Sequence, residues 1–108
     1  MIRLDIRRNA PGGVYVFLAS GISVRGEDAH DGPNGDVRAL AAAVRTFVAD
    51  EREAGRLVCD PVTKVCGGGI LVVWTPVPKA RERSNAFCSV LENAETVMKR
   101  TCPDRVMA

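Results

Sequence analysis

The sequence predicts an α+β domain in which two helices pack on a mostly antiparallel sheet of four to five strands. Two short runs, residues 14–19 and 70–74, are apolar at every position, which is typical of central strands with both faces covered. Two longer segments carry apolar residues three and four positions apart, as amphipathic helices do. The predicted order along the chain is β-β-β-α-β-β-α. A chain of 108 residues is expected to form one domain, spanning 1–108.

The first part of the chain predicts a three-stranded meander. Apolar and charged residues alternate over residues 2–7, which indicates a strand with one face in water. Turn-forming residues at 9–13 separate this strand from the apolar run at 14–19. A short third strand is expected at 22–25.

Two helices are expected in the rest of the chain. Residues 26–35 are rich in turn formers and lack an apolar period, so they predict a loop, after which Asp36 caps the first helix. That helix is expected over residues 37–55, with glycine at its end. The second is expected over about 79–102, because a proline flanks the segment on each side.

Residues 56–66 predict a β-hairpin with Pro61 in its turn. In one register Cys59 faces Cys66 across the hairpin, close enough for a disulfide or a thiol pair. A turn one residue shorter places Cys59 opposite Val65 and excludes the bond. The simpler interpretation, two small apolar residues on a strand pair, is favoured.

The remaining polar motifs predict no catalytic residue, no metal and no cofactor. His30 stands in an acidic loop at 26–36, whose spacing does not match a calcium loop and favours a solvated segment over a cation site or a general base. The glycines at 67–69 precede a strand, whereas phosphate-binding glycines follow one. They therefore indicate a bulge or tight bend. These observations favour a protein without enzymatic activity.

Composition and charge indicate which classes of partner and which cellular compartment are expected. The formal net charge is +2, from 15 basic and 13 acidic residues, which is too balanced to indicate a nucleic-acid or membrane binder. The first apolar run, residues 14–19, is shorter than a signal-peptide core or a membrane span. We expect a cytoplasmic protein with reduced cysteines.

Two apolar strands and only two helices predict a surface for a partner. Either the helices cover one face of the sheet each, or both cover the same face and another chain covers the other. The second arrangement is favoured because the connections are short. It predicts a homodimer or a partner protein on the uncovered face. The residues predicted to bind the partner are Tyr15, Phe17, Trp74, Lys79, Arg81 and Arg83.

The favoured function is therefore a small protein-binding module, such as a regulator or inhibitor of the kind that phages and other mobile elements carry. One alternative is a thiol, redox or other small enzyme that uses Cys59 and Cys66. A second alternative is a nucleic-acid-binding protein, which would use Arg81, Arg83, Lys99 and Arg100.

Overall fold

A computed structural model describes residues 2–21, 32–66, 68–101 and 106–107 of the chain. These residues form five strands and two α-helices, which confirms the predicted α+β class. The predicted strand at 22–25 lies outside the described residues. The elements are β1 (Ile2–Ala10), β2 (Val14–Ser20), α1 (Gly32–Glu53), β3 (Val62–Cys66), β4 (Gly69–Trp74), α2 (Arg81–Thr101) and β5 (Val106–Met107).

The five strands form one sheet in the order β3-β4-β2-β1-β5. Every neighbouring pair is antiparallel except β1 and β5, which are parallel over two residues. The two apolar runs form β2 and β4, and each of these strands is paired on both sides, as predicted for central strands. β5 is only two residues long and was not predicted.

The turn between β1 and β2 brings the backbone close to a side chain of α2. Gly13 has a φ of 76°, and a Cβ at this position would lie 2.9 Å from the guanidinium Nη2 of Arg81. Glycine is favoured here because of its left-handed backbone, whereas the end of the flexible Arg81 side chain can move away from a Cβ.

Helix α1 begins at Gly32, ahead of the predicted cap at Asp36. The expected loop at 26–35 is thus wrong over its last residues. Pro33 lies in the first turn, where an N–H has no partner within the helix, so proline is compatible with the helix there.

The predicted end of α1 is confirmed, and its hydrogen bonds explain it. Gly55 has a φ of 73° and donates its N–H to the carbonyl of Arg52, while Arg56 donates to the carbonyl of Glu51. This pair of bonds is the Schellman motif, which satisfies carbonyls that the last helical turn leaves open.

The hairpin predicted within residues 56–66 is not formed. Val58 donates its N–H to the carbonyl of Thr75 at 2.8 Å, and Val77 donates to the carbonyl of Arg56 at 2.7 Å. The segment before β3 therefore runs alongside the extension of β4, and the hairpin is made by β3 and β4 themselves. Cys66 pairs with Gly69 at the end of this hairpin. Gly68, between them, has a φ of 81°, a backbone conformation that glycine adopts readily.

Both helices cover the same face of the sheet, as the sequence favoured. Alternate residues of β2 and β4 form one buried cluster with side chains from α1 and from α2. Phe47 of α1 stacks on Phe87 of α2 with ring centroids 4.2 Å apart, and it also meets the edge of Trp74 at 6.3 Å. The buried members of the core from these four elements are Tyr15, Phe17, Ala19, Val37, Ala41, Val44, Val48, Ile70, Val72, Trp74, Cys88 and Leu91.

Candidate functional site

The other face of the sheet carries a continuous group of apolar side chains. The strand register places them side by side, because Val16 pairs with Val73 and Leu18 pairs with Leu71. No described helix or strand packs on this side of the sheet. We call it the open face, formed by Val14, Val16, Leu18, Val62, Leu71 and Val73.

Charged residues flank the open face on its two sides. Lys64 of β3 pairs with Leu71, and Asp5 of β1 pairs with Leu18, so one row across the sheet reads Lys64, Leu71, Leu18, Asp5. Asp5 accepts a hydrogen bond from Nε of Arg7 at 3.0 Å, in an exposed ion pair that contributes little to stability. Leu18 is 37% exposed and Val62 is 45% exposed, so water reaches both the middle and the edge of the face.

The three aromatic residues predicted to bind a partner lie on the opposite, covered face. Tyr15, Phe17 and Trp74 are almost completely buried beneath the helices. That part of the predicted surface is therefore wrong: these side chains cannot contact a partner while the helices cover them. The strand assignment was right, but both faces of each strand are apolar, so the sequence did not show which face the helices cover.

Hydrogen bonds to α2 hold two of these aromatic side chains in place. Tyr15 donates its hydroxyl to Oδ1 of Asn85 at 2.7 Å, and Trp74 donates its indole N–H to Oγ of Ser84 at 3.0 Å. Burial raises the pKa of the Tyr15 hydroxyl above its usual value, which keeps it protonated and able to donate. These contacts indicate a structural role.

The basic residues at the start of α2 are divided between structural and exposed positions. Arg83 donates from Nε to both carboxylate oxygens of Glu51, at 3.1 and 3.2 Å, and the hydrogen bond raises the pKa of Arg83. Arg81 packs against the turn at Gly13. Lys79 is exposed and remains available to a partner. Lys99 and Arg100, the other members of the predicted nucleic-acid patch, have side chains outside the described residues.

The most unusual charged residue was not identified from the sequence. Glu51 is 0% exposed, yet it lies in the last turn of α1. Besides Arg83, it binds Nη1 of Arg56 at 2.7 Å, so one buried carboxylate joins the end of α1 to α2 and to the following segment. A signal was present, since position 51 continues the apolar stripe at 41, 44 and 48.

The hairpin register that would have placed Cys59 opposite Cys66 is not formed, so the alternative of a disulfide or thiol pair has no support. Cys59 is a free, exposed thiol ahead of β3, whereas the backbone of Cys66 pairs with Gly69 at the far end of that strand. The two residues therefore lie along one edge and do not face each other. Cys88 is buried in the core, where burial raises the pKa of its thiol and makes it less reactive. His30 lies outside the described residues.

The site thus belongs to an α+β protein with both helices on one face of its sheet and an apolar face opposite. No protein-family model and no curated protein matches the chain. A solved structure with a similar fold is that of an essential ribosomal processing protease, Prp, from S. aureus in complex with a substrate peptide. The TM-score is 0.58 at 15% identity, over 99% of this chain and 96% of that chain. At this identity the likeness shows a shared fold.

None of the helices in the described part of the chain is both long enough and apolar enough to cross a membrane.

Proposed function

We propose that this protein is a small protein-binding module whose contact surface is the open face of its sheet. The observation that carries the proposal is the placement of both helices on one face, with apolar residues left on the other. The role we assign to it is that of a cytoplasmic regulator or inhibitor, of the kind that phages and mobile elements carry. The free thiol of Cys59 suits a reducing compartment.

An exposed apolar sheet face of this kind is best explained by a partner. Folded monomers rarely leave a continuous apolar patch of more than a few hundred Å² in contact with water. The six side chains of the open face lie side by side across three adjacent strands, and none of the described elements covers them. Leu18 and Val62 are exposed, and the other four are half-buried. Burying this face against another surface is favourable by about 25 cal/mol per Å² of apolar area. The peptide bound to the structurally similar protease is consistent with a protein ligand for this fold, although it does not identify one for this chain.

A second copy of the chain is the partner that fits the face best. A two-fold axis running along the strands, between β4 and β2, would lay β2 of one copy over β4 of the other. Leu18 would then meet Leu71 of the second copy, and Asp5 would meet its Lys64, because these residues share one row. Within this row the two leucines and the two charges would each meet a complementary residue, as a two-fold interface requires.

The direct test is the mass of the protein in solution. Light scattering at micromolar concentration should report about twice the monomer mass of 11.6 kDa. Leu18→Lys should reduce the mass to that of the monomer, since it places a charge in the centre of the face. Val90→Lys is the matched control, because Val90 is an exposed apolar residue on α2, away from the face.

Circular dichroism should show that both variants remain folded. A wild-type protein that is monomeric at all concentrations would remove the homodimer from the proposal. The face would then have to bind a different protein. In that case Leu18→Lys should abolish binding of that protein, and Val90→Lys should not. If Leu18→Lys changed neither self-association nor partner binding, the open face would not be the contact surface.

A further inference from the structure

A second surface lies at the edge of the sheet, between β3 and α1. Strand β3 is an edge strand of the sheet, so one of its sides has no neighbouring strand among the described residues. Beside it runs a groove of about 980 Å³. The side chains that matter here are Ala42, Arg45, Thr46, Ala49 and Arg52 of α1 and Thr63 of β3.

The register of the β3–β4 hairpin determines which backbone groups point outward. Cys66 and Gly69 flank the two-residue turn and are paired, so they form the hydrogen-bonded pair that closes it. Hydrogen-bonded pairs alternate with non-bonded pairs along antiparallel strands. Thr63 and Val65, at the non-bonded positions, therefore direct their N–H and C=O groups away from β4, toward the free edge.

The same two residues place their side chains on the helix side of the sheet. Thr63 pairs with Val72 and Val65 with Ile70, both of which face the core. Val65 is nonetheless 63% exposed, because the described elements do not cover this end of the strand. An added strand would therefore gain backbone hydrogen bonds and an apolar neighbour together.

We propose that this edge binds an extended peptide segment of a partner protein, which adds to β3 as a further strand. Its alternate side chains would enter the groove beneath α1, where the small residues Ala42, Thr46 and Ala49 leave room for medium-sized apolar groups. This surface is separate from the open face and does not depend on the dimer proposed above.

The charged side chains of the groove indicate which kind of peptide it binds. Arg45 lines the groove and forms no ion pair or hydrogen bond within the described residues. Arg52, further along α1, is already held by Asp60 through a bond of 3.0 Å from its Nε. Glu53 also lines the groove near that end, so a carboxylate of the ligand is disfavoured there. The ligand is therefore an alternating, partly apolar peptide with a carboxylate placed to reach Arg45.

The test begins with a random ten-residue peptide library displayed on phage and selected on the intact protein. The enriched sequences should alternate apolar and polar residues and carry an acidic residue at a fixed position. One selected peptide, labelled with a fluorophore, is then titrated with protein while its anisotropy is measured. NMR should show the largest amide shifts at Thr63 and Val65.

Two variants separate this binding mode from others. Thr63→Pro removes an outward N–H without removing a bond to β4 and should weaken binding at least ~10-fold, whereas Thr63→Val keeps the N–H and should bind almost normally. Arg45→Glu should weaken binding by ~10-fold, and a peptide with lysine in place of its acidic residue should recover affinity for this variant.

Leu18→Lys should bind the peptide like the wild type, because the open face is not involved. Lack of enrichment, helical or basic consensus sequences, or equal affinity of Thr63→Pro and Thr63→Val would overturn the proposal. Loss of binding in Leu18→Lys with normal binding in Thr63→Pro would instead place the peptide on the open face.

Discussion

Glu51 shows how a charged residue can take the place of an apolar one on the buried stripe of a helix. Its carboxylate is removed from water, which is costly unless charged groups compensate. Arg56 and Arg83 provide that compensation while keeping part of their own side chains in water. The helical period indicated that position 51 faces inward, but only the tertiary structure could show that two arginines converge on it.

Replacing Glu51 by glutamine should destabilise the protein without changing its shape. The amide keeps the size of the side chain but turns one acceptor into a donor that faces arginine N–H groups. We expect a loss of about 1–2 kcal/mol in the free energy of unfolding, measured with urea. Glu53→Gln, two residues away and exposed, should change it by less than about 0.5 kcal/mol. Equal effects of the two substitutions would contradict a structural role for the buried carboxylate.

The two faces of β4 can be distinguished by one substitution made at adjacent positions. Val72→Asp would put an unpaired charge in the core, at a cost of several kcal/mol against a total stability of about 5–15 kcal/mol, so the domain should unfold or become insoluble. Val73→Asp places the same charge on the open face and should leave a folded protein. Thermal unfolding followed by circular dichroism compares the two. A soluble Val72→Asp protein that melts cooperatively would show that Val72 does not face the core.

Among the elements, those with strong local signals were predicted well. The two apolar runs formed central strands, and α2 extends over nearly the predicted residues, because apolar period and flanking prolines agree there. The segment at 56–66 was not predicted correctly, since two turn signals competed. The hairpin closes through the pair of Cys66 and Gly69, with Gly68 between them, and not at Asp60 and Pro61. Such a choice depends on pairing with β4, which a local pattern does not contain.

The glycine that ends α1 was predicted correctly, and its contribution to stability can be tested. Gly55 has a left-handed conformation, and a Cβ there would meet no atom within 4 Å. Gly55→Ala should therefore destabilise the protein by about 1–2 kcal/mol through backbone conformation alone. Gly55→Asn should cost less, because asparagine tolerates this conformation better. Urea unfolding of both variants measures the difference, and an alanine variant as stable as the wild type would show that the motif contributes nothing.

The placement of both helices on one side is the feature of the whole molecule that the sequence could favour but not determine. Strands that are apolar on both faces are compatible with helices on either side. The structure resolves this, because α1 and α2 contribute to one buried cluster and meet through Phe47 and Phe87. It also changes the candidate site, from the aromatic residues beneath the helices to the valines and leucines on the opposite face.

The charged flanks of that face give the most specific prediction for the assembled molecule. In the proposed two-fold arrangement, Asp5 of each copy lies over Lys64 of the other, so each dimer contains the contact twice. Asp5→Lys should therefore weaken self-association at low salt, and Lys64→Asp should do the same. The double variant should recover it, because the charges are exchanged and the contact is restored. Sedimentation equilibrium at two salt concentrations measures each dissociation constant. Additive weakening in the double variant would exclude this two-fold arrangement, even if the protein is a dimer.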